Sequence, residues 1–273
     1  PALLTRGYGR NTQGMLILKR GNERVPTDLT GDEAQLYLRR AKVPMGIGSD
    51  RFEVGQELLK ALTPGIIFMD DGFQHLQLKR DFDLVLVDSL NPFGGGHLIP
   101  LGRLREPLEG LARAHAFLIT RANESVNTEA IEHVLHKHNP TAPVFRGRTV
   151  PLRWTNQKGD QLAPDGPAVA RAVAFCGLGN PAAFWNTLEQ YGIRPLEHYD
   201  YGDHHRYTPV ELRRLARRTM DIGADTLLTT EKDAVNLCPD VAGIIEPLNL
   251  WWLEIGMDID RRDELIALIR QTL

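Results

Sequence analysis

The stretch GIIFMDDGFQHLQLKRDFDLVLVD, residues 65–88, decides how the rest of the chain is read. Residues 66–69 form a continuous apolar run that stops on Asp70 and Asp71, and residues 84–87 form a second run that stops on Asp88. Short uninterrupted apolar runs predict strands covered on both faces, the pattern of a mostly parallel sheet with helices on each side. In such sheets, ligands gather beyond the carboxyl ends of the strands. Acids delivered to that edge can hold Mg²⁺ beside the phosphates of a nucleotide. Asp also favours turns, so the pair by itself reads equally well as a strand running into a turn. The continuation through Gly72, Phe73, Gln74 and His75 makes a dense polar cluster at the strand end and favours a site.

Bulk properties set the frame. A chain of 273 residues is long enough for one large or two modest domains. With 42% hydrophobic and 25% charged residues it has the composition of a globular protein. A formal net charge of -3 argues against a general nucleic-acid binder. Cys176 and Cys238 form neither a CxxC pair nor a zinc spacing, which suits a reducing compartment. No apolar run approaches the length of a membrane span, and no signal peptide is visible. Pro1 opens almost directly into the apolar run Ala2-Leu3-Leu4, so the natural chain is expected to be longer at its N-terminus. No GxxxxGK[ST] occurs in the sequence.

Taken in order, residues 2–5 predict a strand, and Arg6-Gly7-Tyr8-Gly9-Arg10 the loop at its carboxyl end. Arginines among glycines suit an anion, although a solvated turn explains the segment as well. Thr30 or Asp32 is placed to cap a helix over 33–40. A strand over 44–48 leads through Ser49-Asp50-Arg51 into a helix over 52–62, where Arg51 also reads as a surface residue. Further strands are predicted at 116–120, 144–146, 149–154, 173–176, 226–229 and 250–255, and helices at 131–138, 182–191, 209–220 and 264–273. Gly177-Leu178-Gly179 opens like a dinucleotide fingerprint but lacks its third glycine. These elements predict an α/β fold whose mostly parallel sheet carries helices on both faces, with a core domain over 1–147 and a smaller α/β domain over 148–273. The last helix is free to return to the core.

Asp70-Asp71-Gly72-Phe73-Gln74-His75 resembles the Walker-B-type segment of the tetraacyldisaccharide 4'-kinases, the lipid A kinases of Gram-negative bacteria. RGYGR (6–10), GDEA (31–34), GRLREP (102–107), GLGNP (177–181), DHHRYT (203–208) and TEKDAV (230–235) resemble further family segments in the same order. The resemblance implies a P-loop-NTPase-like core and ATP-dependent, Mg²⁺-dependent phosphorylation of the 4'-hydroxyl of a tetraacyl glucosamine disaccharide 1-phosphate. It makes Asp32 the base that takes the hydroxyl proton, supported by His204. It assigns Asp70, Asp71 and Glu106 to the metal, and Arg6, Tyr8, Arg51, His75 and Arg105 to the lipid substrate. The smaller domain is expected to close over the nucleotide. The implied location is the cytoplasmic face of the bacterial inner membrane, held peripherally, with the lipid A disaccharide precursor as partner and no nucleic acid.

One departure matters. The family carries GGTGKT after its first strand, and no such segment stands in this sequence. Without it the residues that bind the nucleotide are unassigned, little kinase activity is expected of these residues alone, and neighbouring strands are expected to expose apolar faces. Two other readings stay open: another P-loop-type ATPase, though not a metallochaperone, since no Cys or His ligands stand at metal spacing, and a non-catalytic binder of lipid or sugar phosphate that uses Arg6, Arg51 and Arg105.

Overall fold

The computed structural model describes residues 1–10, 12–20, 25–122, 127–166 and 171–272. The strands are β1 (Ala2–Thr5), β2 (Leu16–Leu18), β3 (Met45–Ile47), β4 (Ile67–Met69), β5 (Leu84–Asp88), β6 (Ala116–Thr120), β7 (Val144–Asn156), β8 (Gln161–Leu162), β9 (Ala172–Cys176), β10 (Glu197–Asp200), β11 (Thr226–Thr230) and β12 (Asn249–Ile259). The helices are α1 (Thr27–Thr30), α2 (Asp32–Arg40), α3 (Arg51–Leu62), α4 (Thr128–His138), α5 (Pro181–Gln190), α6 (Pro209–Asp221), α7 (Glu231–Ala234), α8 (Val241–Ile245) and α9 (Arg262–Arg270). The final residue of the expected 264–273 helix lies outside the described residues.

The chain divides into two compact units. The first comprises Pro1–Leu4, Asp50–Val150 and Met257–Leu273, and the second Thr5–Ser49 and Pro151–Gly256. Residues 5–49 were expected with the first domain; they group with the second unit. The reason is side-chain bonding at long sequence range. Arg40 pairs with Glu231, and Arg206 with Asp28. No local pattern announces such contacts.

In the first unit β5 and β6 pair in parallel, as do β6 and the start of β7. β6 explains its own apolar run. Phe117 and Ile119 pack against Ile131 and Leu135 of α4, while Ala116 and Leu118 face Leu265 of α9. Alternate side chains of one strand thus meet helices on opposite faces, so every position is apolar. β1 pairs in parallel with β4, Leu4 opposite Met69.

The expectation that the runs at 66–69 and 84–87 are buried on both faces does not hold throughout. Phe68 is 49% exposed and Leu86 59%. β4 and β5 are each the terminal strand of their sheets among the described residues. A terminal strand has a neighbour on one side only, and less of its surface is covered.

The second unit holds the parallel order β10-β9-β11-β12. β9 repeats the two-sided logic. Val173 and Phe175 pack with Leu212 and Leu215 of α6, while Ala172, Ala174 and Cys176 pack with Phe184 and Leu188 of α5. α6 starts on Thr208, whose side chain makes a capping box with Glu211, and on Pro209 at its first turn. β10, with the sequence EHYD, escaped sequence reading because an edge strand can stay half exposed and polar. The two strands expected at 144–146 and 149–154 form one continuous β7.

Candidate active site

In the second unit, Asp32 is the first residue of α2. The cap position is held by Gly31 at φ +85°, and neither Thr30 nor Asp32 caps the helix. Gly31 has a second constraint: a Cβ there would lie 2.2 Å from the Tyr8 carbonyl oxygen. The 6–10 loop can therefore lie against the start of α2 only because this residue has no side chain. Asp32 is 7% exposed. Its Oδ1 accepts the Glu33 backbone N–H at 3.0 Å, and the helix N-terminus favours its negative charge.

His204 Nδ1 lies 2.5 Å from Asp32 Oδ2. His204 is held at φ +57°, a left-handed conformation that is costly for a side chain with a Cβ. The neighbouring histidine points elsewhere: His205 packs its ring against Tyr201 and Tyr207 and reaches Glu211. Tyr8 is exposed, with its ring centroid 6.1 Å from that of His204. Arg6 is exposed in the same loop.

Other quoted segments close around this pair. Lys232 of α7 donates to Asp203 Oδ1 at 2.7 Å, and that hydrogen bond is the main reason the Asp203 carboxyl is held below its ordinary range. Arg206 pairs with Asp28 and donates to the Gly9 carbonyl oxygen. Buried Asp233 accepts from the Gly177 N–H and the Tyr207 hydroxyl, each at 2.7 Å. Thus RGYGR, GDEA, GLGNP, DHHRYT and TEKDAV, scattered in sequence, meet in one unit. Sequence reading quoted TEKDAV but gave Lys232 and Asp233 no role. The signal was the motif itself, since its partners could not be read from it.

In the first unit, Asp70 and Asp71 follow β4, with Asp71 at φ +48°. Arg105 Nη1 lies 2.8 Å from both Asp71 oxygens. Glu106 accepts from Gln74 Nε2 at 2.8 Å and from Arg113 Nη2 at 2.7 Å. A cavity of about 240 Å³ opens beside them, lined by Asp71, Gln74, Arg103, Arg105 and Glu106 and by the apolar side chains of Phe73, Val85, Phe93 and Leu111. His75 Nε2 is buried without a protein hydrogen-bond partner. Arg51 is the first residue of α3 and is buried, not the surface residue its flanking sequence allowed.

Among the described residues no three His, Cys, Asp or Glu side chains gather as a ready-made metal site. The Glu106 carboxylate is engaged by Gln74 and Arg113, as that of Asp71 is by Arg105. Adjacent Asp70 and Asp71 alone supply enough carboxylates to fit Mg²⁺. That ion uses one or two carboxylates and takes its other ligands from water and phosphate.

The Tetraacyldisaccharide-1-P 4'-kinase family model matches residues 1–273. The chain belongs to this family. It is 32% identical to the tetraacyldisaccharide 4'-kinase of Halothermothrix orenii, over 98% of this chain and 75% of that protein. It is 39% identical to that of Syntrophobacter fumaroxidans, over 86% of this chain and 63% of that protein. Among solved structures it is similar to the crystal structure of LpxK from Aquifex aeolicus in complex with ATP, with a TM-score of 0.73 and 26% identity over 99% of this chain and 78% of that one. A family kinase fold therefore positions both groups of side chains. Among the described residues no helix is long and apolar enough to cross a membrane.

Proposed function

We infer that the protein phosphorylates the 4'-hydroxyl of a tetraacyl glucosamine disaccharide 1-phosphate with ATP. The observation that carries the catalytic part is the hydrogen bond between Asp32 and His204. In the reaction a bond forms between the acceptor's 4'-oxygen and the γ-phosphorus. The bond from that phosphorus to the bridging oxygen breaks, and ADP leaves with the electron pair. The hydroxyl proton goes to Asp32. His204 orients that carboxylate, and the start of α2 stabilises it while it waits as an anion.

Phosphoryl transfer asks little covalent chemistry of a protein, and mainly positioning and charge neutralisation. Bound at Asp70 and Asp71, Mg²⁺ would neutralise charge on the nucleotide phosphates. Arg51 and Arg105 hold the acceptor's own phosphate, with Arg6. Tyr8 and His75 are the other side chains we assign to the lipid substrate. Arg105 would exchange its bond to Asp71 for the substrate phosphate when Asp71 turns to the metal. Such a switch is inexpensive because the pair is more than half exposed. The acyl chains of the acceptor call for peripheral binding at a membrane surface, and the use of ATP for its cytoplasmic face, here that of the inner membrane. Nucleic acid is no partner.

The test is transfer from γ-labelled ATP to the acceptor in detergent micelles, using protein made from the whole open reading frame. Transfer is expected, with kcat lowered about 100-fold or more in Asp32→Asn. Acceptor binding without transfer would instead favour the non-catalytic binder, and full activity in Asp32→Asn would remove that residue from the chemistry.

A further inference from the structure

The Asp32–His204 pair does not stand alone. Lys232 Nζ lies 3.3 Å from His204 Nε2 while it donates to Asp203 Oδ1 at 2.7 Å. An ammonium group has donors and no acceptor. The nitrogen it faces on the imidazole must therefore present a lone pair. The ring proton then sits on Nδ1, where it points at Asp32 Oδ2. The opposite tautomer would set two lone pairs against each other at 2.5 Å.

A competitor for the proton is close by. Asp203 Oδ2 lies 3.8 Å from His204 Nε2 and would draw the proton to that side of the ring. Lys232 engages the same carboxylate and fills the space in front of Nε2. The charged and titratable groups facing His204 are thus Asp32 on α2, Asp203 on its own loop, Lys232 on α7, and the phenol of Tyr8.

The backbone carrying Lys232 is fixed from both sides. Glu231 is paired with Arg40, which lies on the helix that begins with Asp32. Asp233 is bonded to Gly177 and Tyr207, the latter three residues after His204. Consecutive side chains of α7 therefore hold the helix of one partner, the ring of the other, and the loop behind it.

We propose that Lys232 is a positioning residue that fixes the tautomer of His204, keeping the proton on Nδ1 so that the imidazole donates to Asp32. The idea rests on the kinase reading for its consequence in catalysis, but not for the tautomer itself.

The experiment is long-range ¹⁵N–¹H correlation on histidine-labelled protein at about pH 8, where imidazole is ordinarily neutral. His204→Gln assigns the signal. The wild type is expected to show the Nδ1–H form. In Lys232→Met a substantial Nε2–H population is expected, and Lys232→Arg, still a pure donor, retains Nδ1–H. In the transfer assay Lys232→Met is expected to lower kcat about 10- to 100-fold with the acceptor KM unchanged. Nε2–H in the wild type, or an unchanged tautomer in Lys232→Met, overturns the proposal. Should Lys232→Met fail to fold, the wild-type and Lys232→Arg spectra decide it, because Nε2–H in either is incompatible with the idea. A tautomer switch in a protein without any phosphoryl transfer would sink the kinase reading and leave this one standing.

Discussion

Asp233 offers the most direct way to weigh the tertiary structure of the second unit. It is 1% exposed, and its oxygens accept from the Gly177 N–H, the Tyr207 hydroxyl and the Thr230 hydroxyl. Tyr207 is suited to the role: burial, and then the charge of Asp233, push its phenol far above the ordinary range, so it stays a donor. Asp233→Ala leaves the Gly177 and Tyr207 donors without an acceptor. Each of the two stranded donors costs about 1–3 kcal/mol, so the variant is expected to lose about 2–6 kcal/mol. Asp233→Asn keeps one carbonyl oxygen for those two donors and offers its amide to Thr230, so its expected loss is about 1 kcal/mol. Urea unfolding with a probe in the second unit measures both. A cycle with Tyr207→Phe gives the sharper reading, because removing the phenol hydroxyl removes one of the stranded donors. Asp233→Ala should then cost about 1 kcal/mol less in the Tyr207→Phe background than in the wild type. Equal costs in the two backgrounds, or an Asp233→Ala variant within about 1 kcal/mol of the wild type, would refute the argument.

Other outcomes follow from single features. Burial first, and then nearby Asp233, pushes the Cys176 thiol up to about 12, so a thiol reagent should label Cys238 in the native protein and reach Cys176 only after denaturation. Rapid native labelling of both would contradict the packing of β9. Gly31→Ala places a Cβ at φ +85° and 2.2 Å from the Tyr8 carbonyl oxygen, and is expected to destabilise by about 2 kcal/mol or more, as read by thermal melting. An unchanged melting temperature would mean the 6–10 loop does not approach α2 as described. The lowered Asp203 carboxyl contributes stability above its unfolded value of about 3.9, and loses it as pH falls through the folded value. Lys232→Met removes the main cause of that shift, so stability should fall less steeply below about pH 4 than in the wild type. A steeper acid limb in the variant would reverse the sign and exclude the pairing.

Much of this protein is legible along the chain, because apolar runs and caps report local backbone and burial. The run at 116–119 is a strand since both its faces meet helices, and Thr208-Pro209 starts a helix since a capping hydroxyl and a fixed φ suit its first turn. The order of short motifs was enough to resemble the kinase family. Sequence alone also favoured His204 over His205, but only through that resemblance. It was silent on Lys232, and it put residues 5–49 with the first domain where they group with the second unit.

The sequence by itself determined the elements, their alternation and the kinship, for those depend on neighbours a few residues apart. Only the tertiary structure decided which side chains meet. Asp32 and His204 are 172 residues apart, and Arg40 and Glu231 are 191 apart. Whether such pairs touch depends on strand order and helix placement, which no local periodicity encodes.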